Sequence, residues 1–275
     1  RIPALPPLAN KAELLAFLRE PSNYPLFGKP IDSLRSLGSA SFSGIDAARD
    51  CLLKTTGGEI AVEAFAGEVI EAYAAGYIFQ GRVTPHAEIR AVCGDRLATV
   101  RVVTALIGGT PKAIRTLWKI PAGDNVADNF WRSGNMIAAL DRASGKVLRV
   151  QRGTGLAAED VTHHADTGVE LIGRTVPLYG ELVATAVEAH RMFPDIGLIG
   201  WDMAATEAGP LIVEPNITPD FVLPQLAEGK GIMDEEFKSF LAERRAAKEA
   251  LKSGYKKAVA ADARGGWGRV RCLRT

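Results

Sequence analysis

The chain is poor in the residues from which covalent and metal frameworks are built. Its three cysteines, Cys51, Cys93 and Cys272, are odd in number and far apart. That excludes a disulfide scaffold and a zinc pattern, and a reducing, cytoplasmic setting is the expectation. Four histidines are present, two of them the neighbours His163 and His164. Adjacent side chains diverge on helix or strand, so a polar loop is expected there rather than a joint metal site. The sequence has no apolar run long enough to cross a bilayer and no signal peptide. It has no G-x-x-x-x-G-K-[ST] loop and no evident Ser–His–Asp or Cys–His arrangement. The first residue is Arg rather than Met, so upstream residues are expected to be missing.

What is present is ordinary in bulk. The 275 residues, 47% hydrophobic and 24% charged, suffice for one large domain or two lobes with real cores. The net charge of +1 hides an asymmetry. Residues 238–275 carry eleven basic and three acidic residues, leaving 22 basic against 29 acidic before them. Such a tail docks on its own domain or seeks an anionic partner. A nucleic acid is disfavoured, because aromatic interleaving is limited to Tyr255 and Trp267.

Along the chain, a Pro-rich linker (1–7) precedes a short helix capped by Asn10. Strands are expected at 25–30, 77–83, 97–107, 136–140 and 147–151. Helices are expected at 59–75, 177–191 and 235–259, and a Ser/Gly loop at 33–44. Residues 265–268 and the basic residues after them read as an arm. Hairpins without regular strand–helix alternation favour α+β with antiparallel sheets. The division expected is a linker and helix at 1–24, a small subdomain and hinge at 25–84, a large subdomain at 85–235, and a basic helical tail at 236–275.

The sharpest chemistry lies in GLIGWDMAATEAGPLIVEPN. A three-residue loop, Glu207 to Gly209, would pair Thr206 with Pro210 and set Asp202 opposite Glu214. Asn216, two residues on, returns to the same face. Two carboxylates and an amide together call for a cation or an upward pKa shift, and all-oxygen ligands suit Mg²⁺. The bland alternative is a solvated hairpin. The apolar flanks Trp201, Met203 and Val213 argue against it.

Lys29 interrupts an apolar strand and is followed by small hydroxyl residues and glycines that can approach phosphate oxygens. An exposed edge lysine is the plain alternative. Arg101 sits within a β-branched run, so it needs an anionic partner, either a structural carboxylate or a phosphate.

The order Y-P-L-F-G-K-P, T-V-R-V-V-T, then W-D followed by E-P-N-x-x-P-D resembles the ATP-grasp superfamily. In particular it resembles the sugar-transfer-associated branch, which is related to carboxylate–amine ligases. The resemblance covers about residues 20–230. It implies an α+β ATP-grasp fold, two antiparallel lobes enclosing ATP, with an N-terminal lobe largely absent from this chain. It implies that Lys29 contacts the phosphates and that Ser36, Gly38 and Ser39 form a lid. Gln80, Gly81, Arg82 and Val83 would form the hinge at adenine, with Glu88 a ribose acceptor. Asp202, Glu214 and Asn216 would hold Mg²⁺, Arg101 would face the transferring phosphate, and Asp128 and Asn129 would lie near the cleft. Where relatives often carry Glu after the Gln, this chain has Gly81.

The activity implied is Mg-ATP-dependent ligation: a carboxylate becomes an acyl phosphate and an amine displaces phosphate, in glycan metabolism by the branch's name. The partners would be small-molecule acids and amines. A kinase acting on a hydroxyl, and a nucleotide-binding module without turnover, remain alternatives. Oligomeric state is open. Alanine at Asp202 or Glu214 is expected to abolish turnover and leave the fold intact.

Overall fold

The computed structural model describes residues 7–32 and 36–264. Residues 1–6 of the Pro-rich linker, residues 33–35 of the Ser/Gly loop, and the arm with Cys272 lie outside the described residues.

Two antiparallel sheets organise the chain. The first joins β1 (Leu26–Pro30), β2 (Ala40–Asp46), β3 (Cys51–Lys54), β4 (Glu59–Ala61) and β5 (Tyr77–Gly81) in the order β4-β3-β2-β1-β5. Two helices, α1 (Lys11–Arg19) and α2 (Val62–Ala72), cover one face. Helix α1 starts where the Asn10 side chain accepts the Glu13 amide at 3.0 Å while Glu13 returns to the Ala9 amide. Leu14 and Leu18, one turn apart, enter a core with Leu26, Phe42, Leu52 and Phe65, so the helix packs as part of this lobe. The opposite sheet face stays open. Because side chains alternate, that face carries Phe27 and Lys29 on β1 and, paired with them, Gln80 and Ile78 on β5.

The second sheet runs β10-β9-β8-β7-β6-β11-β12. Its strands are β6 (Thr99–Ile107), β7 (Thr110–Ile120), β8 (Met136–Leu140), β9 (Val147–Arg152), β10 (Glu159–Val161), β11 (Leu198–Thr206) and β12 (Gly209–Asn216). One face buries Val100, Val102, Trp118, Ala138, Trp201 and Met203 under α3 (Ala87–Cys93) and α4 (Tyr179–His190). The other face is divided. Leu117, Ile137 and Ala139 pack on α5 (Val222–Glu228), and Val103, Ala105 and Ile114 pack on Phe237 and Phe240 of α6 (Glu235–Arg264). On this same face lies a polar seam of Thr99, Arg101, Lys119 and Asp202.

Three expectations change. Residues 40–44 of the supposed loop are strand, paired to β1 and β3. The expected helix at 59–75 begins with a short strand at 59–61 and becomes helical at Val62. Strand β7 was not foreseen, because Pro111, Lys112 and Arg115 interrupt its apolar pattern. The two histidines do part company: His164 is buried, with Nε2 3.0 Å from the Pro121 carbonyl oxygen, and His163 is exposed.

Candidate active site

Strands β11 and β12 place the acidic residues. The hairpin turns through two residues rather than three, pairing Thr206 with Gly209. A bulge at Val213 then shifts the register by one, and Asp202 meets Glu214 as expected, but by a different route. Without the bulge Asp202 would pair with Val213, and Glu214 would turn to the other face. Trp201 pairs with Pro215 and Gly200 with Asn216, so Asn216 follows Glu214 on the same face. Pro215 sits on the outermost strand, where its missing N–H breaks no ladder. In E-P-N-x-x-P-D, Asp220 accepts the Val222 amide at 2.7 Å and so starts α5.

Asp202 is 2% exposed and Arg101 7%. Arg101 forks onto the carboxylate, Nε to Oδ1 at 2.5 Å and Nη2 to Oδ2 at 3.0 Å. A Cβ at Gly200 would lie 2.8 Å from Pro219 Cβ and 3.2 Å from Arg101 Cδ, so glycine is what lets the arginine lie flat over β11. The partner that Arg101 needed is therefore a carboxylate, and it belongs to the site itself.

A second cation, not foreseen from the sequence, joins them. Lys119, on β7, donates to Asp202 Oδ2 at 3.0 Å and lies 3.2 Å from Asp128 Oδ1. Asp128 is fixed in turn: its Oδ2 accepts the Thr99 amide and hydroxyl, both at 2.6 Å. Only an apolar run, L-W-K-I, marks Lys119 in the sequence, and a lysine inside such a run was the available signal.

The electrostatics follow. Burial pushes the Asp202 carboxyl pKa up, but the charges and hydrogen bonds of Lys119 and Arg101 outweigh burial and hold it down at about 2. Burial likewise lowers the Lys119 and Arg101 values, and Asp202 and Asp128 more than restore them. Glu214 goes the other way. Burial, then the Asp202 charge and its hydrogen bond, raise it above the usual carboxylate range. Asp202 and Glu214 are cross-strand partners, and Asn216 lies two residues on along the same face of β12.

These residues fit a hard divalent cation. A carboxylate offers about four acceptor positions, and three of those on Asp202 are taken. Asn216 Nδ2 is buried without a hydrogen-bond partner. Turned over, that amide would present Oδ1, so the three side chains of this face could offer the oxygen donors that Mg²⁺ prefers.

The remaining site residues lie on the other lobe and on the connection between the lobes. Lys29, half-buried, and Gln80, exposed, share the open face of the small sheet. Gly81 ends β5, and the Arg82 amide donates to the Pro25 carbonyl at 3.0 Å. Arg82 Nη1 is buried and unpartnered, while Nη2 reaches Asp95 at 3.3 Å. Past Val83, Pro85 bridges Thr206 and the His86 amide donates to Ala205, which ties the connection to β11. Glu88 is exposed in the first turn of α3.

Ser36, Gly38 and Ser39 line a separate cleft of about 530 Å³ between the lobes, with Lys54 on one wall and Arg132 on the other. Gly38 has φ +75° and packs against Tyr73, where a Cβ would lie 2.3 Å from the hydroxyl. Lys54 and Arg132 make no ion pair among the described residues. Asp128 joins the buried seam. Asn129 stays in the loop, where its Oδ1 accepts the Trp131 amide at 3.0 Å.

A model of the sugar-transfer associated ATP-grasp family matches residues 61–239, more than half of the chain. The chain belongs to that family. The match takes in β6, β7, β11 and β12, and with them Arg101, Lys119, Asp202, Glu214 and Asn216; Lys29 and the loop at 36–39 precede it. Its fold is the ATP-grasp fold, and ATP-grasp proteins are in general ATP-dependent ligases using ATP and Mg²⁺. Among solved structures the chain is similar to the ADP complex of PurK, N5-carboxyaminoimidazole ribonucleotide synthetase. Identity there is 14% and the TM-score 0.41, covering 78% of this chain and 40% of that one. The chain thus spans well under half the length of that neighbour. No curated protein matches. No helix among the described residues is long and apolar enough to cross a membrane.

Proposed function

We propose that this ATP-grasp protein is an ATP-dependent carboxylate–amine ligase whose cation site is Asp202, Glu214 and Asn216. The observation that carries the proposal is the placement of those three side chains on one face of β11 and β12, with Asp202 held by the buried pair Arg101 and Lys119. When bound, Mg²⁺ would neutralise phosphate charge and polarise the phosphoryl group.

The chain's own residues supply position and charge. Arg101 grips both oxygens of Asp202 and orients it, and Lys119 adds its charge to keep it ionised. Burial and then the Asp202 charge raise the Glu214 pKa, and a cation between the two carboxylates would favour its ionised form. The open face of the small sheet, with Lys29 and Gln80, supports the nucleotide, and the segment from Gly81 to Val83 is the hinge at its base. Ser36, Gly38 and Ser39 close on the phosphates from the lid, and Lys54 and Arg132 supply positive charge in that cleft beside its acids Glu68 and Asp124. A substrate carboxylate oxygen attacks the γ-phosphorus, the bond to the bridging oxygen breaks, and ADP leaves. The amine then adds to the acyl carbon, phosphate departs, and the amine proton passes to solvent.

Two paired carboxylates, with no hydrogen bond to a serine or cysteine among the described residues, support phosphoryl transfer to an external acceptor. Candidate acids and amines, including uronic acids and amino sugars in keeping with the family's sugar association, would be screened for ADP release. Trapping with hydroxylamine should yield a hydroxamate. ADP release with a hydroxyl acceptor and no hydroxamate would point instead to a kinase.

A further inference from the structure

Resting on the cation site just proposed, the geometry points to Lys119 as a movable counter-cation. It bridges Asp202 and Asp128, and would move wholly onto Asp128 when a nucleotide brings a divalent ion to Asp202. On this reading the site refuses a free divalent ion and accepts one only together with phosphate.

Lys119 has two docks. Its Nζ lies 3.0 Å from Asp202 Oδ2 and 3.2 Å from Asp128 Oδ1, so leaving the first does not strand a buried charge. The second dock is rigid, because the Thr99 amide and hydroxyl hold the other Asp128 oxygen. Arg101 lacks this freedom. Its guanidinium grips both Asp202 oxygens, it is wedged against Gly200, and Asp202 is its sole ion-pair partner among the described residues. A point charge on a flexible stem suits the moving part, and a planar fork suits the fixed one.

Charge counting gives the consequence. Asp202, Glu214 and Asp128 bring three negative charges, and Arg101 and Lys119 return two positive ones. A divalent ion alone would leave this partly buried cluster positive, with two cations beside it. A phosphate chain offsets that excess. The internal cations therefore penalise the free ion and favour the ion–nucleotide pair.

The test uses Mn²⁺ as the probe, read by the electron paramagnetic resonance signal of the unbound ion, with and without a non-hydrolysable ATP analogue. Wild-type protein should hold Mn²⁺ well only with the analogue. Lys119→Met should bind free Mn²⁺ at least about tenfold more tightly than wild type. Asp128→Asn, which removes the second dock, should weaken Mn²⁺ binding with the analogue about tenfold and leave metal-free analogue binding unchanged. A folded Lys119→Met protein with free-Mn²⁺ affinity at or below wild type overturns the inference. Should that variant not fold, unchanged Mn²⁺ binding with the analogue in Asp128→Asn overturns it. Wild-type protein that holds no Mn²⁺ even with the analogue would sink the cation site as well, so the two failures are distinguishable.

Discussion

The two sheets carry their charged residues in opposite ways. On the large sheet Arg101, Lys119, Asp128 and Asp202 are buried and interlocked, each hydrogen-bonded or ion-paired to the next. On the small sheet Lys29 and Gln80 face an open surface, and Lys29 has no ion pair among the described residues. A buried network supplies preorganised charge on the large sheet, and an open face supplies a surface that can close on the small one. Substitutions in the first region should therefore cost stability and activity together, and those in the second activity alone.

The largest effect that could break this contrast belongs to Asp202. Alanine there strands the buried Arg101 and removes one of the two partners of Lys119, and should cost about 3–5 kcal/mol in chemical denaturation, as well as ADP release. The sequence alone suggested an intact fold for this variant; burial under Arg101 and Lys119 is the reason to expect otherwise. Glu214→Ala should also abolish ADP release yet change stability by less than about 1 kcal/mol, because ionising Glu214 beside Asp202 gives the folded state no benefit. Equal destabilisation by the two variants would erase the asymmetry within the pair.

Acidity sharpens the same point. The Asp202 value is depressed, so its contribution to stability is complete above the unfolded value near 3.8 and is lost as pH falls toward about 2. Denaturation midpoints measured across that window should drop for wild type and stay flatter for Asp202→Asn. Glu214 is raised, so its proton competes with the cation, and Mn²⁺–nucleotide affinity should climb as pH rises through that raised value. Glu214→Gln should bind weakly and show no such climb.

On the lid cleft, Arg132→Met should reduce affinity for the triphosphate analogue about tenfold and leave adenosine binding unchanged, by calorimetry. An equal loss for both ligands would remove Arg132 from the phosphate end. The smallest stability effect is expected for Lys29→Met, within about 0.5 kcal/mol, with a rise in the KM for ATP.

Much of this was legible in the sequence. The β-branched run gave β6, and period-two spacing set Asp202, Glu214 and Asn216 on one face. That prediction succeeded although the turn was misjudged: a loop one residue too long compensated for the unseen bulge at Val213. Bulges leave no composition signal, so the compensation was hidden. Lys119 was missed for a different reason. Its strand is buried on both faces near its end and broken by charges at its start, so neither periodicity shows. Arg101 was seen to need an anion, but its choice of Asp202 rests on strand pairing across about a hundred residues of chain, which local pattern does not encode.

The central claim is met most directly by anomalous diffraction from crystals grown with Mn²⁺ and a non-hydrolysable ATP analogue. The account predicts a manganese peak about 2.1 Å from oxygens of Asp202, Glu214 and Asn216, with Lys119 bonded to Asp128 alone. A peak elsewhere, with Arg101 and Lys119 still saturating Asp202, would contradict it.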